Sequence, residues 1–269
     1  RESGAVEVGF PMHEPAEQDG RPVLTTLSVR RLDATTPTPG TAALRASPLE
    51  MRLSGRGLSV YVHGKQVATG LASDAYGGLM RVLHHAYPRV KVARLRLGHD
   101  AMYVQVVDLL RALLGGMDPL FEAIGLEDSE VSETDITTPS PRELRTRWNA
   151  LEERATLGRS KLTEIEQPYP LREIDQPSVT AVGTSLSSCL PELARAPRRG
   201  LQVTLTVDEG HVHTIESRRD GRAVPKDSDF HICVREVTTG TRLRAHRERI
   251  ELRYIWRPED FTGEPPIEN

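Results

Sequence analysis

The stretch "LEMRLSGRGLSVYVHGKQV", residues 49–67, constrains the fold more tightly than any other part of the chain. Leu49, Met51 and Leu53 alternate with polar residues, the two-residue period of a half-buried strand. "SGRG" turns the chain and "LSVYV" continues it as a second strand. "HGK" makes the next turn, where Gly64 supplies a positive φ at no steric cost. Bends this closely spaced between alternating runs specify a hairpin, so the first part of the chain must be built around a sheet.

The sheet belongs to a first domain expected over residues 23–126, after a flexible leader at 1–22 rich in Gly, Pro and acid. "PVLTTLSVRRL" reads as a strand and "DATTPTPGTAALRASP" as a loop. "SDAYGGLMRVLHHAYP" reads as a helix capped by Ser73 or Asp74, with Leu79, Leu83 and Ala86 on one face and Pro88 just past its end. "VKVARLRL" follows as a strand that buries Val90 and Val92, with Leu95 and Leu97 as further buried positions. "AMYVQVVDLLRALLGG" is a second helix with Met102, Val106, Leu109, Leu110 and Leu113 on one stripe. The order is β-β-α-β-α, followed by the short apolar piece "LFEAIGL".

Residues 127–178 read as an acidic loop and helical connector. Ser140 and Glu143 form a capping box around Pro141, and Leu144, Trp148, Leu151 and Ala155 make an apolar stripe. That stripe suits packing on a neighbouring domain, with a partner helix as the alternative. A second domain is expected over 179–257, before a flexible tail at 258–269. In it "TSLSSCLPELARAP" is helical around a Pro, and Leu201, Val203, Leu205 and Val207 share a strand face. "DSDFHICVREVTTG" is a short helix or strand. "RIELRYIW" closes the domain with Ile250, Leu252, Tyr254 and Trp256 on one face and Arg249, Glu251 and Arg253 on the other. The fold class is α+β, as two small sheet-and-helix domains joined by a helical connector.

Composition narrows the function. A net charge of −3 demands no nucleic acid partner. No apolar run approaches the ~18 residues that span a bilayer, and the opening "RESGAVEVGFPMHEP" suggests a processed form or an excised soluble part, with a lost N-terminal anchor as one reading. The two cysteines, Cys189 and Cys233, fit equally a pair of buried thiols or a bridge. In an oxidising compartment a bridge closing that loop would stabilise by about 4 kcal/mol.

Signals for catalysis are sparse. "GTSLSS" lacks the second glycine of a nucleophile elbow, so Ser185 is not read as a nucleophile, and there is no Cys-x-x-Cys. His211 and His213 in "HVH" share a strand face if the two-residue repeat holds, and Cys189, Cys233 and His231 would complete a soft metal site beside them. Exposed strand histidines are the commoner outcome, and His84 and His85 point in different directions on a helix. No cofactor is expected, and the chain is read as a non-enzyme.

The first domain resembles the periplasmic domain of the ExbD/TolR family, the small subunit of proton-driven biopolymer transport motors. The likeness rests on "GLSVYVHGKQV", with Gly57, Tyr61 and Gly64, on the helix ending "HHAYP", and on "VKVARLRLGHDAMYVQVVDLLRAL". There the family has a Tyr opening the helix and a Val-Val pair, matched by Tyr103, Val106 and Val107. The family's Asp before that helix falls near Gly98, with Asp100 displaced by two positions, and "GGMDPLFEAIGL" lengthens the final segment. The second domain resembles the TonB-like C-terminal domain of AgmX/PglI-type proteins through "SSCLPEL", "GLQVTLTVDEGHVHTIE", "FHICVREV" and "RIELRYIW". That likeness implies a Cys189–Cys233 disulfide.

Together the resemblances imply a non-enzymatic periplasmic protein, tethered to the inner membrane by a helix absent from this chain. It would couple proton flow to transport, envelope maintenance or motility. Implied partners are a second copy, an ExbB/TolQ-like channel subunit, and peptidoglycan or an outer-membrane-linked protein. Tyr103 is expected in the first core, and Arg249, Arg253 and Arg257 form a basic face read first as solvated, with peptidoglycan carboxylates or an acidic partner as the alternative. A free-standing peptidoglycan- or ligand-binding module and a metal enzyme at His211 and His213 are the rival classes. Each strand edge of the hairpin sheet offers a further place for a second strand to pair.

Overall fold

A computed structural model of the chain describes residues 6–11, 17–18, 21–22, 24–32, 46–114, 120–127, 139–166, 176–241 and 249–261. The chain is α+β and forms two compact units, Arg1–His84 with Pro88–Leu151, and His85–Tyr87 with Glu152–Asn269. The division falls inside a helix at Leu151, so the expected connector at 127–178 is not a separate piece.

The strands of the first unit are β1 (Val6–Pro11), β2 (Glu17–Gln18), β3 (Arg21–Pro22), β4 (Leu24–Leu32), β5 (Leu49–Ser54), β6 (Gly57–Val62), β7 (Lys65–Leu71), β8 (Val92–Leu97) and β9 (Ala123–Glu127). All but the small β2–β3 pair join one sheet in the order β1-β4-β9-β8-β5-β6-β7. The antiparallel hairpin β5–β6 forms one side, as the alternation predicts, and β7, which the expected β-β-α-β-α order left out, adds a third antiparallel strand beside β6. The pairs β5–β8, β8–β9 and β4–β9 are parallel, which makes the sheet mixed.

Two readings change here. Residues 6–11, expected in a flexible leader, pair antiparallel with β4; the apolar-polar alternation of "VEVGF" is a strand signal that the Gly and Pro content obscured. The apolar piece "LFEAIGL" supplies β9 (Ala123–Glu127), which lies between the parallel neighbours β4 and β8 and buries Ile124 and Gly125.

The core of this unit joins Leu49, Met51, Leu53, Leu58 and Val60 of the hairpin to two helices. Helix α1 (Tyr76–Ala86) buries Tyr76, Leu79, Met80, Leu83 and Ala86. It is entered through a 3-10 turn at Ser73–Ala75, so neither Ser73 nor Asp74 caps it as expected. Helix α2 (Tyr103–Leu114) buries Leu109, Leu113 and Leu114. In β8 the inward positions are Ala93 and Leu95; Val90 and Val92 are half-buried and Leu97 is exposed, one residue out of phase with the Val90–Val92 reading.

The last helix of this part, α3 (Pro141–Arg159), carries the expected capping box. Glu143 Oε2 accepts from Ser140 N at 2.9 Å, and Ser140 Oγ accepts from Glu143 N at 3.3 Å. These hydrogen bonds hold the Glu143 carboxyl below its ordinary pKa. Of its stripe, Leu151 and Ala155 are buried and Leu144 and Trp148 are half-buried.

In the second unit β10 (Glu164–Glu166), β11 (Leu201–Asp208), β12 (His211–Arg219), β13 (Arg222–Ala223) and β14 (Ile250–Trp256) pair antiparallel in the order β10-β14-β11-β12-β13. Their inward residues Leu201, Val203, Leu205, Val207, Ile250, Leu252, Tyr254 and Trp256 are all buried. Helix α4 (Gln176–Ser187) adds Val179, Val182 and Leu186 to this core, and helix α5 (Asp229–Thr238) adds Phe230, Cys233 and Val234. Ser228 caps α5 by accepting from His231 N. Pro191 sits in a separate 3-10 turn, Leu190–Glu192, rather than inside a helix. Phe261, placed in the expected flexible tail, is buried.

Two glycines of the first hairpin carry different loads. Gly57 has φ +108°, and a Cβ there would lie 2.6 Å from the Leu71 carbonyl oxygen. Gly64 has φ +73° with open space around it. Gly57→Ala is therefore expected to cost about 3 kcal/mol and Gly64→Ala about 1 kcal/mol, read as shifts of the urea unfolding transition. Equal costs would contradict the close approach of β7 to Gly57.

Candidate functional site

The residues singled out in the sequence do not converge on one site. Gly57 opens β6 directly after the first turn, Gly64 sits in the second, and His63 shares the positive φ of that second turn at 47°. Tyr61 is buried on β6, with the Arg52 guanidinium 4.3 Å over its ring. Burial pushes the Tyr61 hydroxyl above its ordinary pKa, opposed by the Arg52 charge.

Val106 and Val107 are half-buried, whereas Tyr103 is 84% exposed and does not belong to the core. It lies in the first turn of α2, off the Leu109–Leu113 stripe. The backbone there is closed by Gln105 Oε1, which accepts from Met102 N at 3.1 Å. Of the exposed large apolar side chains among the described residues, Leu97 ends β8 and Met102, Tyr103 and Val104 gather at the start of α2.

On the second unit the basic face is not basic in sum. Arg253 pairs with Glu251 at 3.4 Å and Glu166 at 3.7 Å, and Arg257 pairs with Glu164 at 3.0 Å. The register of β10 against β14 places those glutamates beside the arginines, which one strand read alone does not reveal. Arg249 is exposed and precedes β14.

His211 and His213 are exposed on β12. Asp208 faces His211, Val207 faces Val212 and Thr206 faces Thr214, so His213 is the extra residue of a bulge that breaks the two-residue repeat. Cys189 and Cys233 are bonded to each other, S–S 2.10 Å, and are both buried, so neither sulfur is a thiolate ligand. His231 is buried on α5, and its pKa is lowered chiefly by burial, with Lys226 and Arg235 acting in the same direction. Among the described residues no three His, Cys, Asp or Glu side chains come together to hold a metal.

A charged network absent from the sequence reading lies on the non-core face of the first sheet. Alternation turns Glu50 and Arg52 of β5, and Arg94 and Arg96 of β8, away from the helices, and the parallel register sets Glu50 beside Arg94. Glu50, with its side chain 8% exposed, pairs with Arg52 at 2.6 Å, Arg94 at 3.2 Å and Arg96 at 3.4 Å. Glu127 of β9 takes Arg94 at 3.4 Å and also pairs with Arg96. The sequence signal was present in the paired "EMR" and "RLR", but only the crossover pairing of β5, β8 and β9 assembles it.

No family model, curated protein or solved structure matches the chain. Among the described residues no helix is long and apolar enough to cross a membrane.

Removing a buried carboxylate strands the cations that surround it. Glu50→Ala is expected to destabilise the first unit by about 3 kcal/mol or more, whereas Arg253→Ala, in an exposed pair, costs less than about 1 kcal/mol. Urea unfolding of both variants checks this; a Glu50→Ala cost as small as that of Arg253→Ala would contradict the network's structural weight.

Proposed function

We propose that this chain is the non-enzymatic periplasmic part of a proton-motive-force-driven energy-transducing complex. Its first unit acts as an ExbD/TolR-like domain and its second as a TonB-like domain. The observation that carries this reading is the element order of the first unit from β5 onward: three strands, helix, strand, helix, strand. Gly57 follows the first turn, Gly64 sits in the second, and Gly125 lies inside the closing strand. That order accommodates the segments on which the resemblance rests, and the extra length of "GGMDPLFEAIGL" leads into the last strand.

Two further observations support it. The cysteine pair is joined, which suits an oxidising compartment. The Tyr that the family places at the helix opening is turned outward with Met102 and Val104, where it serves contact with a second copy or a channel subunit rather than packing. The domain would couple proton flow at the inner membrane to transport, envelope maintenance or motility, with peptidoglycan or an outer-membrane-linked protein as the distal partner.

The test is in the native cell. A photo-crosslinking residue placed at Tyr103 of the natively expressed protein is expected to capture a second copy or a multi-span channel subunit. The pattern should change when the proton gradient is collapsed. Recovery of neither, with cross-links indifferent to the gradient, would contradict the reading.

A further inference from the structure

A groove of about 810 Å³ opens on the second unit between the loop that follows Leu190–Glu192 and the β12–β13 turn. Four arginines line it: Arg198 and Arg199 from the loop, Arg219 from the end of β12 and Arg222 from β13. Asp220 and Gly221, both at positive φ, make the tight turn that sets Arg219 and Arg222 directly opposite each other. The same turn holds the loop. Asp220 Oδ1 accepts from Arg199 N at 2.6 Å, and Asp220 N donates to the Gly200 carbonyl at 3.0 Å. Backbone bonds thus gather four cations into one concavity.

None of the four guanidinium groups has an ion-pair or hydrogen-bond partner among the described residues. Like charges held directly across a strand pair oppose each other, and a planar guanidinium is built for carboxylate oxygens. Four carboxylates share the lining; Asp220 accepts from the Arg199 backbone and Glu192 pairs with Arg154, while Asp227 and Asp229 stand where the chain enters α5. The floor is apolar, with Leu193 and Phe230 buried beneath it. Its size lies within the range of ligand sites.

We infer that this groove binds an extended acidic peptide segment of a partner protein, carboxylates on the arginine wall and an apolar side chain over Leu193 and Phe230. Asp227 and Asp229 line the same groove. Their charges oppose a dense phosphate surface, whereas a peptide sets its carboxylates apart and offers N–H donors between them. The groove is built from the second unit alone, and the inference stands whether or not the chain serves a proton-driven complex.

The test uses the full chain and a fluorescent, end-blocked peptide alternating glutamate and leucine, followed by anisotropy. The peptide is expected to bind, more weakly as salt rises, while its lysine counterpart does not. Arg198→Glu with Arg222→Glu should lower affinity at least ~10-fold, and Arg253→Glu with Arg257→Glu should leave it unchanged. In the unsubstituted protein, amide shifts on peptide addition should concentrate between residues 192 and 230, which keeps the proposal open to refutation if the double variant misfolds. Absence of peptide binding, undiminished affinity in a folded groove variant, or shifts elsewhere would overturn it. So would tighter binding of inorganic phosphate or of phosphatidylglycerol vesicles.

Discussion

Cys189 stands on the turn after α4 and Cys233 on α5, and the bond between them encloses β11, β12, β13 and the first half of α5. The core around this bond sets Phe230, Tyr254, Trp256 and Phe261 among Leu and Val side chains. A loop of this length closed in the unfolded state contributes about 4 kcal/mol. That is comparable with the whole net stability of a small domain, about 5–15 kcal/mol. Every residue that lines the arginine groove lies between the two cysteines. The bond therefore limits the freedom of the segments that hold Arg198, Arg199, Arg219 and Arg222 along one groove.

The first unit solves a different problem. One face of its sheet is covered by the apolar stripes of α1 and α2; the other carries Glu50 and Glu127 among Arg52, Arg94 and Arg96. Buried ion pairs add little net stability compared with apolar packing, but they penalise misregistered pairing heavily. Slipping β8 by one residue against β5 would move Arg94 and Arg96 into the apolar core and take them from Glu50. The network thus favours the observed parallel register, whereas Met102, Tyr103 and Val104 lie exposed at the start of α2.

Local pattern was legible where one strand or helix decided its own burial. The hairpin glycines, the Ser140–Glu143 capping box and the alternation of β11 and β14 all follow from spacing and residue type. What escaped depended on neighbours distant in sequence. β9 takes its place only through parallel pairing with β4 and β8, the core position that the family resemblance implied for Tyr103 fails because Tyr103 lies off the Leu109–Leu113 stripe, and Arg253 and Arg257 read as a basic face until β10 brings Glu164 and Glu166 beside them. His211 and His213 were set on one face by a repeat that a bulge interrupts. The groove arginines lie in three separate segments, and only the Asp220 turn unites them.

The second unit is folded around the Cys189–Cys233 bridge, and the proposed function requires that bridge in the native compartment. Thiol counting on protein taken directly from its native compartment, before and after reductant, tests that most directly. The account predicts no reactive thiol before reduction and two afterwards, one from Cys189 and one from Cys233. Two free thiols in the untreated, denatured protein would contradict it.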